Sequence, residues 1–118
     1  MICQICANDK VHEVKVEHTD KTIWLCYECV RSWLVAEGEC IGVAKRPDLD
    51  DDAKKKLIVP AMAAIFGSLQ ADSCVSTILA SICHKMRPYF KNRKNLLGQF
   101  TKSVKEYRMA HYNYIPRY

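Results

Sequence analysis

The sequence predicts a small α+β chain: a metal-bound hairpin with a short helix, followed by a mostly α-helical region. Three observations predict it. Two Cys-x-x-Cys pairs stand nineteen residues apart near the start, apolar residues alternate with period two between them, and apolar residues recur at helical spacing from Val30 onward. The 118 residues suit one ordinary domain and exclude an enzyme with separate cofactor and substrate modules. At 49% hydrophobic and 26% charged, with four Gly and four Pro, the composition is that of a folded chain.

Val11 to Glu17 alternates apolar and polar side chains, as a half-buried strand does, with Val14 and Val16 on one face. His18-Thr19-Asp20-Lys21 suits a reversal, and the β-branched and aromatic run Thr22-Ile23-Trp24-Leu25 suits the return strand. Val30, Trp33 and Leu34 then fall at helix spacing, and Gly38 supplies a stop. In so small a unit Trp33 belongs in the core, against Val14, Val16 or Ile23, whereas Trp24 lies on the other strand face, open to a partner. Residues 1–40 are thus expected to form a zinc-binding module and residues 41–118 a helical region with a basic C-terminal part.

Residues 41–56 read as a connector, with Asp50, Asp51 and Asp52 ahead of Lys54, Lys55 and Lys56 suiting the start of a helix. Three helices follow: Asp50 to Leu69, which Pro60 bends or divides; Ser73 to Met86, ended by Pro88; and Asn95 to His111. The longest apolar run, Leu57 to Leu69, holds 13 residues interrupted by Pro60 and Gly67. It is too short to span a bilayer. It suits core or a dimer interface.

Cys3, Cys6, Cys26 and Cys29 carry the strongest chemical signal. A two-residue spacer lets both sulfurs of a pair reach one ion at about 2.3 Å, and zinc best fits four thiolates without redox chemistry. A redox dithiol and an iron–sulfur centre are the alternatives. The second pair opens a helix, where backbone N–H groups favour thiolate charge. Forty residues bury little apolar surface, so metal binding of about 10–16 kcal/mol contributes to folding. Four protein ligands leave no position for a catalytic water, which points away from an enzyme. His12 and His18 read as ordinary hairpin residues, and Cys74 and Cys83 as buried inert thiols. Seven cysteines behind an N-terminus without a leader pattern suit a reducing, cytoplasmic setting.

Knuckle, hairpin and second knuckle at a helix start resemble a treble-clef zinc finger over residues 3–38. Within that class the likeness is to the N-terminal zinc-binding domain of the ClpX unfoldase. Cys3, Cys6, His12-Glu13-Val14, Ile23-Trp24-Leu25 and Cys26-Tyr27-Glu28-Cys29-Val30 carry it. The resemblance implies a dimerising platform for protein partners. Ala7 stands where a glycine usually follows the first knuckle, and no GxxxxGK[ST] loop exists, so ATPase activity is not implied. GATA-type and DksA/TraR-type fingers share the spacing range.

The net charge of +5 is unevenly distributed. Residues 84–118 carry nine basic side chains against one acid, Glu106. Arg87, Lys91, Arg93, Lys94, Lys102, Lys105 and Arg108, interleaved with aromatic residues, are the candidate DNA or RNA contacts. His84 and His111 fall in the same region, suiting phosphate contact or a solvent-facing role. Three functions follow. The first is a small non-enzymatic zinc-binding regulatory protein that contacts nucleic acid or a nucleic-acid-bound machine through residues 84–118. The second is a protein-interaction adaptor or inhibitor using Trp24 and the zinc module, with a homodimer among its forms. The third is an HNH-type nuclease, for which His18 would serve but Tyr27 to Gly38 offers no second histidine.

Overall fold

β1 (His12–Lys15) and β2 (Thr22–Leu25) pair antiparallel, with His12 opposite Leu25 and Lys15 opposite Thr22, in the computed structural model, which describes residues 1–69 and 74–115. The reversal closes where Val16 N–H donates to Lys21 O at 3.1 Å and Thr19 Oγ1 donates to Val16 O at 2.9 Å. His18 takes the left-handed conformation (φ 63°) to make the turn. Alternation then does what the pattern predicts: Val16, Ile23 and Leu25 are buried.

α1 (Tyr27–Ala44) begins directly after β2. The stop expected at Gly38 is not there. Trp33, Ala36, Glu37, Cys40 and Ala44 form one buried stripe, while Gly38 lies on the exposed face with nothing within 4 Å of a Cβ built on it. A helix-interior glycine costs about 1 kcal/mol relative to alanine, and burying the stripe beyond it outweighs that. Residues 41–44 are therefore helix and not connector, and α1 packs against both α2 (Asp51–Phe66) and α3 (Val75–Met86).

α2 starts where the acidic run predicts, with Asp50 Oδ1 accepting from Ala53 N–H at 2.8 Å. Pro60 lies inside this helix without dividing it. The carbonyl left without an N–H partner belongs to Lys56, an exposed residue whose backbone water can reach. α3 keeps the expected stripe of Val75, Ile78, Leu79, Ile82 and Met86; Ser73, its expected first residue, lies outside the described residues. A 3-10 turn (Arg87–Tyr89) and a loop lead to α4 (Leu96–His111), which packs on α2 and α3. One buried cluster runs from Cys3, Val16, Ile23 and Leu25 through Trp33 and Cys40 to Ile58, Ile82, Phe100 and Val104. Among the described residues no helix is long and apolar enough to cross a membrane.

Two cations of the C-terminal third are drawn in by the packing of these elements, Arg108 buried and Lys85 half-buried. Arg108, expected among the polyanion contacts, is only 1% exposed. Its Nε donates to Gly67 O at 2.9 Å, its Nη2 donates to Leu69 O, and its guanidinium lies 3.8 Å from the Tyr114 ring centroid. It closes the end of α2 and is therefore withdrawn from the expected polyanion contacts. Gly67 supports that end with φ 53°, where a side chain would be strained.

Lys85 on α3 reaches two acids, Glu17 Oε2 at 3.1 Å on the hairpin and Glu37 Oε1 at 2.6 Å on α1. The second contact is an ion pair by distance, its angles falling outside hydrogen-bond geometry. Burial works against the Lys85 charge, but Glu37 and then Glu17 outweigh it and hold the ammonium above its ordinary value. Glu17 is largely exposed, so its pair adds little. Glu37 is buried and depends on Lys85. Lys85→Ala is expected to lower stability by about 3 kcal/mol in urea denaturation, because it leaves a buried carboxylate unpaired. The double variant Lys85→Met/Glu37→Leu is expected to recover most of that loss.

Candidate metal centre

The first cysteine pair sits in a tight turn before β1. Cys3 N–H donates to Asn8 O at 2.7 Å and Ala7 N–H donates to Cys3 O at 3.0 Å. Ala7, at the position where the sequence lacks a glycine, has φ 65°. Gln4 clips this turn to β2: its N–H donates to Trp24 O at 2.9 Å, and its Oε1 accepts from Trp24 N–H at 2.8 Å. The second pair follows directly after β2, with Cys26 as the N-cap of α1 and Cys29 in its first turn.

The two pairs converge. One sulfur from each of Cys3, Cys6, Cys26 and Cys29 lies within 4.8 Å of all the others, and Cys6 Sγ is 3.4 Å from Cys26 Sγ. A tetrahedral ion with metal–sulfur bonds of about 2.3 Å has sulfur–sulfur edges of about 3.8 Å, so these separations bracket what one ion requires. Cys3 and Cys26 are buried, Cys29 is half-buried and Cys6 is exposed, which closes the site on the core side.

The electrostatics favour a cation at the centre. Burial raises the Cys3 thiol, but the backbone N–H groups of Cys6, Cys26 and Ile5 outweigh it and bring the value down to about 6. Burial and the neighbouring thiols of Cys26, Cys6 and Cys3 push Cys29 up. At Cys6 the Asn8 backbone lowers the value, yet burial and the Cys26 thiol together raise it. One thiolate is welcome here and further ones repel; a divalent ion removes that repulsion and accepts all four. The remaining thiols are of another kind. Cys40, Cys74 and Cys83 are buried, and burial pushes Cys40 and Cys83 each up to about 12. These are weak nucleophiles.

Trp33 takes the core position expected of it, whereas Trp24 is less open than expected. Trp33 is buried and lines a cavity of about 150 Å³ with Val14 and Val30. Trp24 lies on the opposite face from Ile23 and Leu25 but is half-buried.

The basic residues separate by position. Arg87 on the 3-10 turn, Lys91, Arg93 and Lys94 on the loop after it, and Lys102 on α4 are exposed; Lys105 is half-buried and Arg108 buried. The loop is fastened by residues the sequence marks only as a helix start. Asp51 accepts from Lys91 N–H at 3.1 Å and Asn92 N–H at 2.9 Å, and Lys54 Nζ donates to Tyr89 O at 2.6 Å. Burial raises the Asp51 carboxyl, but the Asn92 and Lys91 N–H groups outweigh it and hold it below its ordinary value. The fold also stacks His18 on His84, ring centroids 4.0 Å apart and planes 20° from parallel. No sequence signal joins two histidines 66 positions apart.

No family model, curated protein or solved structure matches the chain.

Left-handed backbone at a residue with a Cβ costs about 1 kcal/mol. Ala7→Gly is therefore expected to stabilise the metal-loaded protein by up to about 1 kcal/mol in thermal denaturation, with unchanged metal stoichiometry.

Proposed function

We propose that this is a small non-enzymatic protein in which one structural zinc ion builds the N-terminal module and a basic surface on the helical region contacts nucleic acid. The observation that carries the second part is the state of five cations. Arg87, Lys91, Arg93, Lys94 and Lys102 are exposed, and among the described residues none forms an ion pair. Lys85 and Arg46, by contrast, are paired with carboxylates. Four of the five lie on a short segment whose backbone is held by Asp51 and Lys54. A fixed array of uncompensated cations suits phosphate contact, because counterion release rewards each one. Zinc is the ion favoured by four thiolates, and the closed ligand set supports a structural role.

The exposure of Ile2, Tyr27, Leu34 and Val35 on the N-terminal part, beside half-buried Trp24, supports a second reading as a protein-interaction module or homodimer.

Protein purified without chelator is expected to contain one zinc per chain by elemental analysis. Cys26→Ser should lose it, along with the dispersed amide signals of the hairpin, while α2 and α4 keep their helical signal. Zinc-free protein with an intact hairpin would overturn the metal assignment.

Single-stranded DNA or RNA retained at low salt is expected to dissociate steeply as salt rises, by roughly 0.7–0.9 log units of affinity per contact for each tenfold increase. Arg93→Glu/Lys94→Glu should flatten that slope without changing zinc content. No retention at any salt, with self-association or partner binding that Trp24→Ala abolishes, would favour the protein-interaction reading instead.

A further inference from the structure

Between the hairpin tip and the α3–α4 junction lies a cleft of about 330 Å³. His18 contributes from the hairpin, His84 and Arg87 from the end of α3, and Arg93 and Asn95 from the approach to α4; Ala80, Cys83, Leu96 and Leu97 form the apolar part. Among the described residues, no acidic side chain lines it. This contrasts with the adjoining position, where Lys85 is neutralised by Glu17 and Glu37.

The cleft is held in shape by its own surroundings. Arg93 Nε donates to Phe90 O at 3.1 Å and its Nη2 to Pro88 O at 3.3 Å, which fixes the guanidinium and uses two of its five N–H groups. Asn95 takes the left-handed conformation (φ 52°) and folds its amide over Gly98, where a Cβ would come within 2.4 Å of Oδ1. Glycine at 98 is what allows that placement. At the hairpin tip His18 stacks on His84 of α3, and Glu17 beside it lies 3.1 Å from Lys85 Nζ.

We propose that this cleft binds a phosphate monoester, the group carried by a free nucleotide or by the phosphorylated end of a nucleic-acid strand. Two arginines and two histidines lining one cleft without a carboxylate suit a dianion with three terminal oxygens better than the single charge of a backbone diester. The apolar wall of Ala80, Leu96 and Leu97 suits the sugar and base attached to it, and the volume is that of a small-ligand site. The strand-end source rests on the nucleic-acid reading above; the phosphate chemistry of the cleft does not.

The test uses the full-length zinc-loaded protein with labelled histidine, titrated with thymidine monophosphate and with a short DNA strand bearing either a 5′-phosphate or a 5′-hydroxyl. The proposal expects the His18 and His84 signals to move with a phosphate-bearing ligand. It also expects Arg87→Gln and, separately, His84→Asn to weaken that ligand about tenfold. Arg87 and His84 are exposed, so the fold tolerates both changes. Movement with thymidine monophosphate but no preference between the two strands identifies a free nucleotide. About tenfold preference for the phosphorylated strand identifies a strand end. No response of either histidine to any phosphate-bearing ligand, or binding unaffected by both substitutions, overturns the proposal. Failure of the hydroxyl strand to bind at low salt counts only against the broader nucleic-acid reading.

Discussion

Because Cys26 caps α1 and Cys29 lies in its first turn, the helix that supplies half of the thiol cluster also supplies the buried stripe of Trp33, Ala36, Glu37, Cys40 and Ala44. Each residue of an α-helix is rotated about 100° from the last. A slip of one position would turn Cys29 out of the cluster and Trp33 out from the core in the same movement. The thiols and the core therefore specify one register, and a cation at the thiols stabilises the arrangement at both ends. Glu37, on the same stripe, adds a third condition, since it is buried and, among the described residues, paired with Lys85 of α3.

Two groups stand out among the described cations of the C-terminal third. Half-buried Lys85 and buried Arg108 are each accepted by groups able to offset desolvation: carboxylates for Lys85, backbone carbonyls and a tyrosine face for Arg108. Lys54 on α2 belongs with them, buried with its ammonium on Tyr89 O. These cations join elements. Arg87, Lys91, Arg93, Lys94 and Lys102 form no ion pair among the described residues and are exposed to water, where a charge is inexpensive to keep.

The acidic start of α2 connects the two populations. Asp50 caps its own helix, while Asp51 reaches across to the backbone of Lys91 and Asn92. A carboxylate that anchors main-chain N–H groups leaves the lysine and arginine side chains of that loop pointing to other uses. The loop is thereby held without being neutralised, the combination on which both the proposed nucleic-acid contact and the proposed phosphate site rely.

The four-thiol set, the hairpin, and the existence of three later helices were legible in the sequence because each follows from local spacing. Two-residue cysteine spacers, period-two alternation and the stripe from Val75 to Met86 need no knowledge of distant residues. The end of α1 was not legible: Gly38 is a stop by propensity, and only the packing of Cys40 and Ala44 against neighbouring helices outweighs it. The role of Arg108 was not legible either, since its face of α4 becomes interior only once the end of α2 lies across it. The same holds for the pairing of His18 with His84, which depends on the hairpin tip meeting α3. Local pattern determined which residues can bind a metal or carry charge. Tertiary packing decided which charges are spent inside and which face the solvent, because burial depends on contacts between elements far apart in the chain.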